Sequence, residues 1–216
     1  MAEPLFDLEL HHGRCVAVTT EALSPEGLLP EERAFAESLG TLRRETWVAG
    51  RVAMRQALAR LGERAPPILP DDRGAPVLPP GLAGSISHKQ RVAVALLARE
   101  ATARIGVDVE LDAPRRHDIA AKVLRPEELA ELEGMTEEQR KREVLLRFSA
   151  KEAVYKALDP YVRRYVGFLE VALRLDGEGA GEVTPDLRNG EGPFAFEVRW
   201  MRREGLILTT ARVERS

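Results

Sequence analysis

The sequence predicts an α+β fold, on three observations. Residues 30 to 61 and 136 to 158 each space apolar side chains as one face of a helix. Runs rich in valine, alanine and leucine, bounded by polar or glycine-rich turns, read as strands around those helices. Each half of the chain offers a helix followed by strands, and that order of elements gives an α+β architecture.

Taken in order, Cys15 to Thr19 alternates apolar and small residues and predicts a short strand. Ser24-Pro25-Glu26-Gly27 reads as a turn. From Pro30 to Leu61 the helical face carries Phe35, Leu39 and Leu42. After a break near Gly40 it continues through Trp47, Ala53, Met54, Ala57, Leu58 and Leu61, and Gly62 supplies a C-terminal stop. Prolines and glycines make residues 65 to 84 a surface loop. Strands follow at Ser85 to Ser87, Arg91 to Leu97 and Ile105 to Leu111. Helical character returns at Glu127 to Leu132 and runs from Thr136 to Leu158. The tail, at Phe168 to Leu175, Phe194 to Trp200 and Leu206 to Val213, reads as antiparallel strands.

Composition narrows the setting. The 216 residues are 44% hydrophobic and 31% charged, with a net charge of -3, as expected of a globular protein with no global attraction to nucleic acid. Apolar runs such as Val92 to Ala98 are far shorter than the roughly 20 residues a membrane span takes. Glu3, Asp7 and Glu9 stand where a secretory leader would be basic, so the expected location is cytoplasmic. Cys15 is the only cysteine, which excludes an intramolecular disulfide and a cysteine-rich zinc site and suits a small core residue.

Four clusters carry chemistry. In Ile105-Gly106-Val107-Asp108-Val109-Glu110 the two carboxylates share one face of a strand while Val107 and Val109 point into a core. Like charges that close call for a cation, and magnesium accepts one or two carboxylates plus phosphates. The plain alternative is an exposed acidic strand face. Along Arg147 to Leu158, Glu152 and Lys156 are helix neighbours, either a metal ligand and a phosphate contact or an exposed pair worth about 0.3–0.5 kcal/mol. Gly84-Ser85-Ile86-Ser87-His88-Lys89 has the donors to line a phosphate pocket, against a structural histidine at a strand end. Arg43, Arg44, Arg51, Arg55 and Arg60 lie along one helix and Arg73 in the loop, where guanidinium forks suit phosphate oxygens or simply solvate a surface.

In combination and order, Gly50-Arg51-x-Ala53, the Gly84 to His88 segment, the Ile105 to Glu110 segment and Phe148-Ser149-Ala150-Lys151-Glu152-Ala153-x-Tyr155-Lys156-Ala157 resemble the 4′-phosphopantetheinyl transferase superfamily. The likeness is to its long, two-lobed branch, which includes enterobactin-type and surfactin-type enzymes, over roughly residues 30 to 170. It implies a cytoplasmic monomer built as a pseudo-twofold pair of similar α+β lobes, each a helix packed on a small, mainly antiparallel sheet. The lobes are expected at 1–108 and 109–216, with coenzyme A in the cleft between them. The resemblance further implies magnesium on Asp108, Glu110 and Glu152, with Lys156 at the pyrophosphate and His88 at the 3′-phosphate. It places Arg43, Arg51 and Arg73 around the nucleotide, and Ser87, Lys89 and Lys151 with the same binding group. Leu78, where that branch often has tryptophan, and Lys89 after the histidine are departures that bear on substrate preference.

The implied reaction is attack by the serine hydroxyl of an apo acyl or peptidyl carrier protein on the β-phosphate of coenzyme A. Glu152 is the first choice of general base, with a water or Asp108 as alternatives. Arg115, Arg116, Lys122, Arg125, Arg163 and Arg164 offer a basic docking surface for an acidic carrier. Two other readings are a magnesium-dependent nucleotide hydrolase, disfavoured by the lack of a Gly-x4-Gly-Lys loop, and a catalytically silent coenzyme A- or carrier-binding module. No nucleic acid or membrane partner is expected.

Overall fold

A computed structural model describes residues 3–21, 23–113 and 117–216, with the side chain of Leu42 outside the described set. The chain divides into two units, Met1–Ala101 and Thr102–Ser216. The boundary expected after residue 108 would cut a strand, β5 (Arg104–Leu111), that pairs residue for residue along its whole length with the last strand of the second unit. Those ladder bonds assign the whole strand to the C-terminal unit.

The first unit opens with a hairpin of β1 (Phe6–Leu10) and β2 (Gly13–Thr19). β1 is a strand that the sequence analysis did not anticipate. Its acids alternate with Phe6, Leu8 and Leu10, and Asp7 accepts from Arg14 at 2.5 Å and from Arg60 at 2.6 Å. The long helical stretch breaks at Gly40 as expected, into α1 (Pro30–Glu37) and α2 (Thr41–Arg60). α2 ends in a left-handed Gly62, φ 70°, with Gly62 N–H donating to the Ala59 carbonyl and Glu63 N–H to that of Leu58. β3 (Leu82–Lys89) and β4 (Val92–Arg99) complete an antiparallel sheet of order β1-β2-β4-β3. Ala53, Met54, Ala57 and Leu58 of α2 pack on Val16, Val18, Ala93, Ala95 and Leu97 of the sheet, with Cys15 also fully buried. Gly50 lets the helix settle on β3, because a Cβ there would lie 2.7 Å from Ile86 Cγ2.

In the second unit β5 is followed by two short helices, α3 (Ala120–Val123) and α4 (Pro126–Ala130), and then by α5 (Glu137–Val162). α5 starts in a capping box: Gln139 N–H donates to Thr136 Oγ1 and Thr136 N–H to Gln139 Oε1. Glu137–Lys141 and Glu138–Arg142 pairs support its exposed first turns. After a 3-10 turn at Phe168–Glu170 come β6 (Val171–Leu175), β7 (Ala180–Pro185), β8 (Phe194–Arg203) and β9 (Leu206–Arg215). The sheet order is β5-β9-β8-β7-β6, all antiparallel. Ala150, Ala153, Val154, Ala157 and Leu158 of α5 form the core with Val198, Ala211 and Val213. Each large aliphatic side chain buried this way contributes about 1.5–3 kcal/mol.

The two units repeat one plan. A strand, a long helix and a hairpin follow one another, β2-α2-β3-β4 and then β5-α5-β8-β9. In each sheet the last strand of the set lies between the other two, β2-β4-β3 and β5-β9-β8. The expected pair of similar α+β lobes, each a helix on an antiparallel sheet, is what the chain forms. Among the described residues no helix is long and apolar enough to cross a membrane.

Helix α5 comes closest to its sheet at Gly106, where a Cβ would stand 1.9 Å from the Ala153 carbonyl oxygen. Gly106→Ala is therefore expected to destabilise the fold by about 1–3 kcal/mol or more, whereas Gly27→Ala, whose Cβ would meet nothing within 4 Å, leaves it nearly unchanged. Thermal unfolding of the two variants side by side checks this; equal melting temperatures would refute the close-approach argument.

Candidate active site

Successive side chains on β5 alternate between faces, so Gly106, Asp108 and Glu110 share one. That face is the one beneath α5, as the Gly106–Ala153 approach requires. The expectation that Val107 and Val109 alone face a core is corrected accordingly. Both valines are buried, and so are both carboxylates, each 6% exposed. The acidic pair is not a solvated strand surface.

Helix α5 meets Asp108 with Ser149 and Lys156, and Glu152 lies between them on the same helical face, three residues after the serine and four before the lysine. Ser149 Oγ donates to Asp108 Oδ2 at 2.9 Å. Lys156 Nζ donates to Asp108 Oδ1 and to the Val107 carbonyl, both at 2.9 Å. Glu152, half-buried, stands one turn before Lys156. The three carboxylates do not bring one oxygen each within 4.8 Å of the others. All are hard oxygen donors, two on neighbouring positions of one buried strand face, and in kind they fit magnesium rather than a soft metal. Ser149 and Thr209 were missed by sequence reasoning. Thr209 faces Asp108 across the β5–β9 ladder, and its signal was a pair of threonines, Thr209 and Thr210, in the otherwise apolar run Leu206 to Ala211.

Lys151 does not join this group. Its ammonium donates to Glu128 Oε2 at 2.6 Å, to the Val123 carbonyl at 2.8 Å and to the Phe168 carbonyl at 3.1 Å, with the side chain 2% exposed. Burial pushes its pKa below the ordinary lysine value, against the opposing pull of Glu128. Glu128 in turn accepts from the backbone N–H groups of Arg125 and Leu173. In this structure the Lys151 ammonium is a buried tie joining α5 to α3, α4 and the 3-10 turn at Phe168–Glu170, and its side chain also lines the groove beside Glu152.

A shallow open groove runs beside Glu152, walled by Tyr155, Leu158, Tyr165, Val166 and Phe168. A second ion-pair cluster holds its outer wall. Arg164 donates to Glu170 (2.8 and 3.2 Å) and to Glu191 (2.6 and 3.0 Å), and the Gly167 and Arg188 N–H groups donate to Glu170. Burial would raise the Glu170 pKa, but Arg164 and the two amides outweigh it and hold the carboxyl down at about 2. Of the expected docking charges, Arg164 is thus committed to the fold and Arg125 pairs with Glu127 and Asp186. Lys122 and Arg163 are exposed, and Arg115 and Arg116 lie outside the described residues.

In the first unit the helix arginines also divide. Arg44 donates to the carbonyls of Ala36, Glu37 and Leu39 and closes the end of α1. Arg55 grips Glu32 bidentately at 2.6 and 3.0 Å, and Arg60 binds Asp7. Arg51 is 4% exposed, donates to the Ile68 carbonyl at 2.5 Å and stacks 4.4 Å over the Trp47 ring; burial lowers its pKa to about 10, still well above neutrality. Arg43 and Arg73 are exposed. The Gly84 to Lys89 group lies on β3 and splits by alternation: Ile86 and the exposed His88 share the face that meets Gly50, and the buried Ser87 and half-buried Lys89 share the other.

Fold and site together define an α+β protein with buried strand carboxylates capped by a helix lysine, donors suited to a hard cation and phosphate. A model described as the 4′-phosphopantetheinyl transferase N-terminal domain matches residues 31–108, and one described as the 4′-phosphopantetheinyl transferase superfamily matches 104–211. The chain is 37% identical over 196 residues to 4′-phosphopantetheinyl transferase Svp of Streptomyces mobaraensis, covering 86% of this chain and 78% of that protein. It is 34% identical over 193 residues to 4′-phosphopantetheinyl transferase Npt of Nocardia iowensis, with 83% and 86% covered. Enterobactin synthase component D of Salmonella typhi is 35% identical over 137 residues, with 58% and 52% covered. The chain belongs to the 4′-phosphopantetheinyl transferase superfamily.

Two stability predictions follow from the buried pairs. Lys151→Met strands the Glu128 carboxylate and is expected to cost about 3–5 kcal/mol in chemical denaturation, part of it regained in Lys151→Met/Glu128→Gln, which removes the stranded charge and keeps an acceptor for the Arg125 and Leu173 amides. A single variant as stable as wild type would contradict the pairing. Glu170 titrates lower folded than its ordinary 4.5, so its contribution is complete above pH 4.5 and is lost as pH falls towards about 2. Glu170→Gln is expected to be less stable than wild type at pH 7 and to flatten the pH dependence of unfolding across that window.

Proposed function

We propose that the chain transfers the 4′-phosphopantetheine group of coenzyme A to a serine of an apo acyl or peptidyl carrier protein, in a magnesium-dependent reaction. The observation that carries the reading is the closure of α5 on β5, which sets Lys156 on Asp108 with Glu152 one turn away, in a chain of this superfamily.

Asp108, Glu110 and Glu152 are the residues that would hold the cation. Bound there, magnesium supplies positive charge against the pyrophosphate oxygens. Lys156, 25% exposed, stands at the edge of the buried pair and is placed to exchange its Asp108 contact for a phosphate oxygen. His88, Arg43, Arg51 and Arg73 are proposed for the phosphates and ribose of the nucleotide end. The apolar, aromatic groove beside Glu152 is the proposed path of the uncharged pantetheine chain. The carrier serine oxygen forms a bond to the β-phosphorus as the bond to the bridging oxygen breaks, and adenosine 3′,5′-bisphosphate leaves. The serine proton passes to Glu152, directly or through water. Asp108 is the weaker candidate for that proton, because both of its oxygens already accept hydrogen bonds. The exposed Lys122 and Arg163 are proposed contacts for an acidic carrier.

Intact-mass analysis of an apo carrier protein incubated with the chain, coenzyme A and magnesium tests the reading. The carrier is expected to gain one phosphopantetheine, with the gain abolished by chelator and slowed about 100-fold or more in Glu152→Gln. Coenzyme A binding without transfer to any of several carrier types would instead support the silent binding module.

A further inference from the structure

Thr209 is fully buried, 0% exposed, in Leu206-Ile207-Leu208-Thr209-Thr210-Ala211, a strand where valine would fill the same space. A buried hydroxyl costs stability unless it is hydrogen-bonded, so its partners indicate what it does. Thr209 Oγ1 donates to the Ser149 carbonyl at 2.9 Å and lies 2.9 Å from Ser149 Oγ. Ser149 Oγ lies 2.9 Å from Asp108 Oδ2 and spends its one proton there. The second Asp108 oxygen accepts from Lys156. Two donors seven residues apart on one helix therefore hold the two oxygens of a carboxylate on the facing strand, and the single Thr209 proton is shared between the carbonyl and hydroxyl oxygens of the nearer donor.

We infer that Thr209 is a positioning residue: through Ser149 it fixes the Asp108 carboxylate in the orientation that a divalent cation requires. The inference rests on the metal site of the proposed transferase. Partners of metal-binding carboxylates tune affinity in this way, and losing one costs about 10- to 100-fold in metal affinity or activity.

The test uses the full chain and Mn²⁺ as the probe cation, with affinity read from the electron paramagnetic resonance of the free ion. Thr209→Val keeps shape and removes the hydroxyl. It is expected to weaken Mn²⁺ binding about tenfold or more while melting within about 4 °C of wild type. Thr209→Ser restores the hydroxyl and is expected to return binding to within about threefold of wild type. Should Thr209→Val fail to fold, Ser149→Ala removes the next link and is expected to weaken binding equally. The inference is overturned if the valine or alanine variant binds Mn²⁺ like wild type, if serine fails to rescue, or if wild type binds no Mn²⁺. Wild-type Mn²⁺ binding without transfer to any carrier removes the transferase reading and leaves the Thr209 comparison standing.

Discussion

The second unit is organised by one steric fact: at Gly106 the backbone of α5 rests on the backbone of β5. With Ala153 at the contact and no side chain on the strand, the helix comes close enough for short side chains to bridge the two elements. Serine reaches Asp108 with a single rotatable bond to its hydroxyl, and lysine bends back to the same carboxylate from two turns further on. A helix held farther away by even a methyl group would put the serine out of hydrogen-bond range. The acids then would be buried without donors, which a fold does not tolerate.

Charge in this chain does two jobs, and burial separates them. Glu32, Glu128 and Glu170 are each 4% exposed or less, and each accepts from a basic side chain and from two backbone amides. Such carboxylates replace their lost hydration fully and hold loops to helices. Their partners Arg55, Lys151 and Arg164 are thereby committed to the fold. Arg43, Arg73, His88, Lys122 and Arg163 remain exposed, where a net charge of -3 does not reveal them. Under the transferase reading, this second set joins Arg51 and Lys156 in recognising a polyanionic donor and an acidic carrier.

The repeated strand–helix–hairpin plan shows how one scaffold serves different chemistry. Both long helices sit on their sheets through a glycine, Gly50 in α2 against Ile86 and Gly106 in β5 against Ala153. In the first unit the strand preceding the helix is apolar at Val16 and Val18, and the helix carries arginines. In the second the corresponding strand carries Asp108 and Glu110, and the helix supplies serine, glutamate and lysine. The packing solution is shared, and the polar residues placed upon it differ.

Much of this was legible in the letters. Apolar periodicity located both long helices, their break at Gly40 and most strands, because burying one face imposes a repeat of 3.6 or 2 residues wherever the element lies. Motif order was enough to give the superfamily. The misreadings share a cause. β1 and β7 carry alternating acids or glycines and depend on neighbouring strands for their pairing. Arg44, Arg55, Arg164 and Lys151 look like any other cation in sequence, since partners up to 28 residues away decide their role. The side of β5 that faces α5 was settled by the Gly106 contact, which periodicity alone does not orient. Composition and spacing determined which elements form and which chemistry the chain can carry. Only the tertiary structure decided which charges are consumed in holding it together and which hydroxyls orient the acids, because those outcomes depend on distances between residues remote in sequence.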